Sequence, residues 1–172
     1  SASANIQMPL EWQVAGLWPE GDQWENFIEK DPLPDGSWME SMSLAGGEEP
    51  IIAQLSSERG WIDLQYLFFE RHHAATPLTV LNHSAYAQTT LPSDRDKTVN
   101  LRLSIDDWAI IWVNDEKVAA LKHEAGLETI RLPIQLRKGN NKLLIKTNNT
   151  DTPPNKRHWA FHVTIEKEGA KN

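Results

Sequence analysis

Residues 98–113, TVNLRLSIDDWAIIWV, contain the most regular hydrophobic alternation in the chain. Over residues 98–105 apolar side chains alternate with Asn, Arg and Ser, and this period of two is typical of a half-buried strand in an antiparallel sheet. Asp106 and Asp107 then predict a turn, and residues 108–113 predict the next strand. The stretch therefore indicates antiparallel β-structure rather than a helix.

Turn residues separate further strands on both sides of this stretch. Asn114-Asp115 predicts a hairpin turn in which the Asn114 side chain accepts a backbone N–H, and Gly139 allows a positive φ between two strands. Pro133 predicts an edge strand or a break, because proline cannot donate to a sheet. Short strands without a long helix indicate an all-β fold, a two-sheet antiparallel sandwich. The predicted strands are residues 9–17, 61–69, 85–90, 98–105, 108–113, 117–121, 129–136, 142–147 and 159–165.

Residues 18–50 are rich in Pro, Gly and Asp. They predict a long ordered N-terminal loop region, with one helical turn at residues 24–30. Ordering a loop of this length costs conformational entropy, so side chains of the loop itself must anchor it. The available anchors are Trp18, Trp24, Phe27 and Trp38.

Composition excludes several classes of protein. The chain has 172 residues, no cysteine, and 17 basic against 24 acidic residues, for a formal net charge of −7. The length predicts one domain, residues 1–172. The negative charge disfavours nucleic acid, whose phosphates must be neutralised, and no apolar run is long enough to predict membrane insertion. Without cysteine there is no disulfide, thiol nucleophile or thiolate metal site.

The strand at residues 108–113 is apolar on both faces, whereas a strand in a two-layer sandwich normally buries one. The second face, with Trp108 and Trp112, must therefore be covered. Three possibilities remain for what covers this face: the N-terminal loop, a sugar stacked on the two rings, or a protein interface. The two faces consist of Ala109, Ile111 and Val113 on one side and Trp108, Ile110 and Trp112 on the other.

Three runs of the sequence carry a pattern of strands and turns: TVNLRLSIDDWAIIWVNDEKV, LPIQLRKGNNKLLIKTNN and HWAFHVTI. This pattern resembles the galactose-binding-domain-like jelly rolls attached to many bacterial carbohydrate-active enzymes, and the opening EWQVAGLWPEG is similar to the start of these domains. The resemblance is strongest over residues 85–165, and residues 21–50 match nothing in the family. The chain departs from the pattern at Asp115, usually Gly, and at Asn140, usually bulkier. Marked positions of the pattern are occupied by Asp106, Asp107, Trp112, Asn114, Gly139, Asn141, Leu144, Lys146, Trp159 and Phe161.

The resemblance implies a jelly-roll sandwich, a domain type that often binds glycans and often serves only as a spacer or docking module. We predict a non-catalytic accessory module that binds a polysaccharide or other glycan. It would be part of a larger extracytoplasmic protein, with the parent's other domains as further partners. The alternatives are a structural or protein-interaction sandwich without a glycan ligand, and an enzyme with a cleft under residues 21–50.

Glycan binding by such modules depends on tryptophan rings that stack on sugar C–H faces and on polar side chains that bind the hydroxyls. For each loop tryptophan the alternative is an anchor packed into the sandwich. Trp12 and Trp159 are predicted core residues, and Trp61 is assigned to neither class. The predicted carbohydrate-binding residues are Trp18, Trp24, Trp38, Trp108, Trp112, Arg157 and His158.

No cofactor is predicted, apart from a structural calcium ion that the resemblance suggests, because these jelly rolls frequently hold one. Calcium takes about six to eight oxygen ligands, and no spacing here is diagnostic of such a site. Histidine spacing gives little support to a zinc site. Candidate calcium oxygens belong to Asp94, Asp96, Asp106, Asp107, Asn148, Asn149 and Asp151.

Catalysis has little support in the sequence. The carboxylate pairs Glu48-Glu49 and Asp106-Asp107 are adjacent, and neighbouring residues of a strand point to opposite faces, so neither pair can flank a glycosidic bond. The nucleophile elbow, the P-loop and the dinucleotide-binding fingerprint are all absent from the sequence. We therefore predict that the protein is not an enzyme.

Overall fold

The structure is a computed structural model that describes residues 6–7, 11–19, 23–29, 51–57, 59–71, 83–149 and 159–166. Within these ranges, the side chains of residues 6–7, 18–19, 29, 51–55, 69–71, 106–107 and 123–128 are outside the description. No helix in this part of the chain is long and apolar enough to cross a membrane.

Strands make up most of the described chain. One short helix, α1 (Trp24–Glu29), confirms the helical turn predicted at residues 24–30, and a π-helical segment (Tyr66–Arg71) follows the fourth strand. The strands are β1 (Ile6–Gln7), β2 (Glu11–Pro19), β3 (Ile51–Ser56), β4 (Trp61–Asp63), β5 (His83–Ser93), β6 (Lys97–Val113), β7 (Glu116–Leu136), β8 (Gly139–Asn149) and β9 (Ala160–Glu166).

The strands pair antiparallel in one hydrogen-bonded path, β1-β9-β6-β8-β5-β2-β3, with β4 added to β9 and β7 to β6. The path forms two sheets because β6 changes partner along its length. Its residues 100–105 pair with β9, and its residues 108–113 pair with β8. The two-sheet antiparallel sandwich predicted from the sequence is confirmed.

We name the sheets by their central strands. The β9 layer contains β1, β4, β9 and the paired residues 97–106 of β6 and 127–136 of β7. The β8 layer contains β2, β3, β5, β8 and the paired residues 108–113 of β6 and 116–122 of β7. The β6–β7 hairpin is therefore common to both sheets.

The main core lies between the two layers. Odd-numbered residues face this core in both halves of β6: Val99, Leu101, Leu103 and Ile105 in the first half, and Ala109, Ile111 and Val113 in the second. Trp12 and Trp159 are each 1% exposed, which confirms that they are core residues, and the Trp12 ring packs edge-on against Phe161 at 5.1 Å. Both sheets thus bury one apolar face against the other, as a sandwich requires.

Two local predictions are wrong. Asp106 and Asp107 do not form a turn; they lie within β6, where a register shift between Asp106 and Trp108 marks a bulge. Residues 61–69 are not one strand, because the chain becomes helical from Leu64. The Asp63 side chain accepts the Tyr66 N–H at 2.9 Å and so satisfies a donor of the first helical turn.

Several turn and edge predictions are confirmed. Asn114 and Asp115 have φ values of 49° and 69° and connect β6 to β7, and Gly139 has a φ of 103°. Pro133 lies in β7, which pairs only with β6 among the described strands, so the proline is on an edge strand. The strands predicted at residues 117–121 and 129–136 are parts of this one long strand. Strand β3 was not among the predicted strands.

Candidate functional site

The apolar outer face of the β8 layer is covered by α1. Trp108 and Trp112 are 6% and 5% exposed. The Trp24 ring packs edge-on against Trp108 at 5.2 Å, and the Phe27 ring lies 5.5 Å from the Trp108 ring. Of the three covers left open by the sequence, the N-terminal region is the one observed. The cluster consists of Ala15, Phe27, Tyr86, Trp108, Ile110, Trp112 and Leu144, with Trp24 and Ile28 packed against it.

A buried lysine attaches α1 to this sheet. Lys146 is 1% exposed, and its Nζ donates a hydrogen bond to the Phe27 carbonyl oxygen at 2.9 Å. The same Nζ lies 4.5 Å from the centre of the Phe27 ring and 5.8 Å from that of Tyr86. A buried ammonium group requires such compensation, and a helix carbonyl and two ring faces supply part of it. Lys146 therefore holds the helix over the two tryptophans.

Three of the seven predicted carbohydrate-binding residues come together here: Trp24, Trp108 and Trp112. Trp24 is partly exposed, whereas the other two rings are buried and can receive a sugar only if α1 moves away. Binding by these residues stays a prediction. The Trp18 side chain and residues Trp38, Arg157 and His158 lie outside the described residues.

The outer face of the β9 layer is polar and carries an exposed tryptophan. Trp61 is 40% exposed, and its ring centroid lies 4.9 Å from that of His162. The strand register places His162 beside Trp61, Ser104 beside His162, and Thr129 beside Ser104. The hydroxyl oxygens of Ser104 and Thr129 are 2.7 Å apart. We call the surface of Trp61, His162, Ser104, Thr129, Arg102, Arg131, Thr164 and Glu166 the open face.

Two arginines share one carboxylate on the open face. Arg131 Nη2 lies 2.9 Å and Arg102 Nε 3.5 Å from Glu166 Oε1. The side chains of Arg102 and Arg131 are 37% and 49% exposed, while that of Glu166 is 13% exposed. The three groups therefore have a net positive charge and remain accessible to solvent.

A tight turn positions Trp61 and His162 together. Gly60 has a φ of 89°, and a Cβ atom there would lie 2.8 Å from His162 Nε2 and 3.0 Å from the Val163 carbonyl oxygen. His162 Nε2 donates to the Arg59 carbonyl oxygen at 2.9 Å, so this ring nitrogen carries a hydrogen. Only glycine combines this φ with so close an approach to the next strand.

Replacing Gly60 with alanine is therefore expected to lower the free energy of unfolding by about 1–3 kcal/mol, from the positive φ and the displacement of His162. Chemical denaturation measures the loss. Gly139→Ala is the matched control, because Gly139 also has a positive φ, 103°, but no atom within 4 Å of its added Cβ. An equal loss in the two variants would contradict a steric role for Gly60.

The candidate calcium oxygens do not converge in the described residues. Asp94 accepts a hydrogen bond from Lys97 Nζ at 3.0 Å, and this bond and the lysine charge lower the pKa of Asp94. Asp96 accepts the Lys138 N–H at 2.8 Å, and Asn148 donates to Ser84 Oγ at 2.7 Å. Within the described ranges no group of three His, Asp or Glu side chains is placed to hold a metal ion. The side chains of Asp106 and Asp107 and residue Asp151 are outside the description.

No protein-family model and no curated protein sequence matches the chain. Solved structures do match. A β-glucosidase from Kluyveromyces marxianus has a TM-score of 0.54 and 15% identity, with 90% of this chain and 16% of that chain covered. The A domain of epithelial adhesin 9 from Candida glabrata, in complex with Galβ1-4GlcNAc, has a TM-score of 0.52 and 11% identity, covering 100% of this chain and 87% of the adhesin chain.

A β-glucuronidase from Ruminococcus gnavus also matches, with a TM-score of 0.52, 12% identity, 95% of this chain and 29% of that chain covered. The chain thus spans less than a third of both glycosidase chains. At these identities the likeness shows the fold alone. The shared fold is a two-sheet antiparallel β-sandwich, the architecture that the sequence resemblance implies.

Proposed function

We propose that the protein is a non-catalytic carbohydrate-binding module that binds saccharide along one row of its open face, formed by Trp61, His162, Ser104 and Thr129. The observation that carries the proposal is the Trp61 ring, which remains 40% exposed on an otherwise polar sheet. A flat, exposed indole offers a surface on which the C–H groups of a sugar can stack.

Polar groups beside the ring supply the second requirement of sugar recognition. The Ser104 and Thr129 hydroxyl groups, 2.7 Å apart, and the His162 ring lie in the same row across the sheet as Trp61. The exposed Thr129 hydroxyl can donate or accept a hydrogen bond, as sugar hydroxyls require. Ser104 is 9% exposed and orients Thr129 through their shared hydrogen bond, and the partly exposed His162 offers Nδ1, since its Nε2–H is bonded to the Arg59 carbonyl oxygen. Since the row crosses four strands, an extended saccharide suits it better than a single sugar held in a cavity.

The wider setting of the module is part of the same proposal. The similar adhesin domain is described in complex with a galactose-containing disaccharide, which supports a glycan as the partner of this chain. Two of the similar structures are glycosidases that are several times longer than this chain, which supports a role as an accessory domain of a larger protein. We place that parent protein outside the cytoplasm, with its other domains as further partners.

Affinity gel electrophoresis against a panel of soluble polysaccharides, after a glycan array has selected ligands, tests the proposal. Trp61→Ala is expected to raise the Kd by about tenfold or more, since each tenfold corresponds to about 1.4 kcal/mol of lost stacking. Trp61→Phe should retain part of the binding, because a smaller ring still stacks.

Trp24→Ala tests the alternative surface over α1. Retention of binding by Trp24→Ala together with loss in Trp61→Ala supports the open face. The reverse result transfers the site to α1 and the tryptophans predicted from the sequence. If wild-type protein binds no saccharide at all, the glycan proposal is wrong, and the structural or protein-interaction alternative replaces it.

A further inference from the structure

We propose that the open face selects anionic saccharides, carrying carboxylate or sulfate groups, through Arg102 and Arg131. This inference rests on the proposed saccharide binding and adds the chemical class of the ligand. It starts from a contrast in charge: the whole chain has a formal net charge of −7, whereas, among the described residues, the two arginines on this face share a single carboxylate, that of Glu166.

The arginines have donors to spare for a ligand. A guanidinium group has five N–H donors in a planar fork, so the pair offers far more than one carboxylate can accept. Both ion pairs use the same oxygen of Glu166, at 2.9 and 3.5 Å. Arg102 Nε is buried and has no hydrogen-bond partner in the described structure, so its pairing with Glu166 is incomplete, and the donors open to a ligand are the terminal N–H groups of the two guanidinium groups. The fork of an arginine matches both carboxylate and sulfate oxygens.

The fold fixes the position of this pair relative to the tryptophan. Arg102 lies beside Thr164 of β9 and Arg131 of β7, two residues along β6 from Ser104. Trp61 lies two strands away from Ser104. With strand spacings of about 4.8 Å and a rise of about 3.4 Å per residue, the Cα atoms of Trp61 and Arg102 are about 12 Å apart. A ligand that uses both must be longer than one sugar.

Within the part of the chain that the structure describes, the other charged groups near the face do not cancel this preference. Asp63 lies at the opposite end, in the row beyond Trp61, where its carboxylate accepts the Tyr66 N–H. Arg59, in the turn that precedes β4, is exposed and adds a further positive charge at the Trp61 end of the sheet. The carboxylate of Glu166 is the only acidic side chain among the described open-face residues, and it holds the two guanidinium groups side by side.

Matched pairs of polymers that differ only in charge test the inference. Polygalacturonate is compared with fully methyl-esterified pectin, and dextran sulfate with dextran, so that the two pairs separate carboxylate from sulfate recognition. For at least one pair, wild-type protein is expected to bind the charged form about tenfold more tightly or better, and added salt should reduce the difference. Tighter binding of oligomers than of galacturonate monomer is also expected.

The variant Arg102→Gln/Arg131→Gln should lose this preference while binding the neutral polymer within about twofold of wild type. Arg131→Lys retains the charge but not the planar fork of guanidinium donors, so this variant should lose part of the preference for the charged polymer. Arg131→Gln alone is the fallback if the double variant does not fold, because Arg131 is about half exposed. Denaturation curves confirm that each variant remains folded.

The outcomes separate this inference from the proposed function. If neutral polymers bind as tightly as charged ones and the arginine variants change nothing, the anionic selectivity is overturned while saccharide binding stands. If single-stranded DNA binds as tightly as the charged polymers and Trp61→Ala changes neither, the face is a general polyanion surface and both are overturned. Loss of charged-polymer binding in Trp61→Ala and also in the arginine variants supports both the proposed saccharide binding and the anionic selectivity.

Discussion

Replacing Trp108 with alanine is expected to lower the free energy of unfolding by about 3–5 kcal/mol, the usual range for a buried tryptophan. Trp108 is 6% exposed and packs against the rings of Trp24 and Phe27, which belong to α1. A helix of six residues is not stable in isolation, so its position depends on this packing and on Lys146. We therefore expect α1 to detach in the variant and become sensitive to proteases.

Urea denaturation and limited proteolysis measure the two effects. Trp61→Ala is the matched control, since the exposed ring of Trp61 should contribute less than about 1 kcal/mol to stability. A loss for Trp108→Ala no larger than that for Trp61→Ala would show that the helix does not depend on the ring. That result would restore Trp108 as a candidate sugar platform.

Replacing Asn141 with alanine is expected to cost about 2–4 kcal/mol, because each lost hydrogen bond contributes about 0.5–1.5 kcal/mol and buried partners remain unsatisfied. Asn141 is 1% exposed. Its Nδ2 donates to the carbonyl oxygens of Leu91 at 3.1 Å and Arg137 at 2.8 Å. Its Oδ1 accepts the Arg137 N–H and the Asn114 Nδ2–H, each at 2.8 Å.

Asn140→Ala is the control for this prediction, because Asn140 is the exposed neighbour in the same turn. Its cost should stay within about 0.5 kcal/mol. Thermal or chemical unfolding of the two variants provides the comparison. Similar losses for both would mean that the Asn141 network contributes no more than the local backbone.

The turn chemistry of this fold was predictable from the sequence. Asn114 was expected to accept a backbone N–H after the hairpin, and its Oδ1 does accept the Lys142 N–H at 2.9 Å. Gly139 was expected to have a positive φ, and its φ is 103°. The positive φ values depend on residues within the turns themselves, so the residue types specify them. The partner of Asn114, by contrast, is Lys142 of β8, 28 residues along the chain, and no local pattern specifies it. The roles of Asn114 and Gly139 also explain two positions of the family-like pattern as structural.

Residues 61–69 show why local periodicity was not sufficient elsewhere. The side chains of Ile62, Leu64 and Phe68 fit a strand, but Leu64, Leu67 and Phe68 also fit a helical spacing, and all four are buried. The capping of the Tyr66 N–H by Asp63 and the packing of the core favour the helical alternative after Asp63. The sequence alone is compatible with both periodicities, that of a strand and that of a helix.

The open face was not predictable because it depends on long-range register. Arg102, Arg131 and Glu166 each occupy outward positions of alternating strands, and that alternation is visible in the sequence. Their meeting requires β6 to pair with both β7 and β9 in one particular register. No local pattern specifies which residues of distant strands become neighbours. Trp61 was assigned neither to the core nor to the binding residues, because its exposure also depends on this long-range pairing of strands.

The position of β9 within its layer affects how the chain folds during synthesis. This strand lies between β6 on one side and β1 and β4 on the other, and it contributes Phe161, Val163 and Ile165 to the core. Its partner strands β1, β4 and β6 are synthesised much earlier. On the ribosome, their edges and apolar side chains therefore stay uncovered until β9 has been synthesised. The β9 layer can close only after residue 166 has emerged, and until then the nascent chain exposes surfaces that favour aggregation.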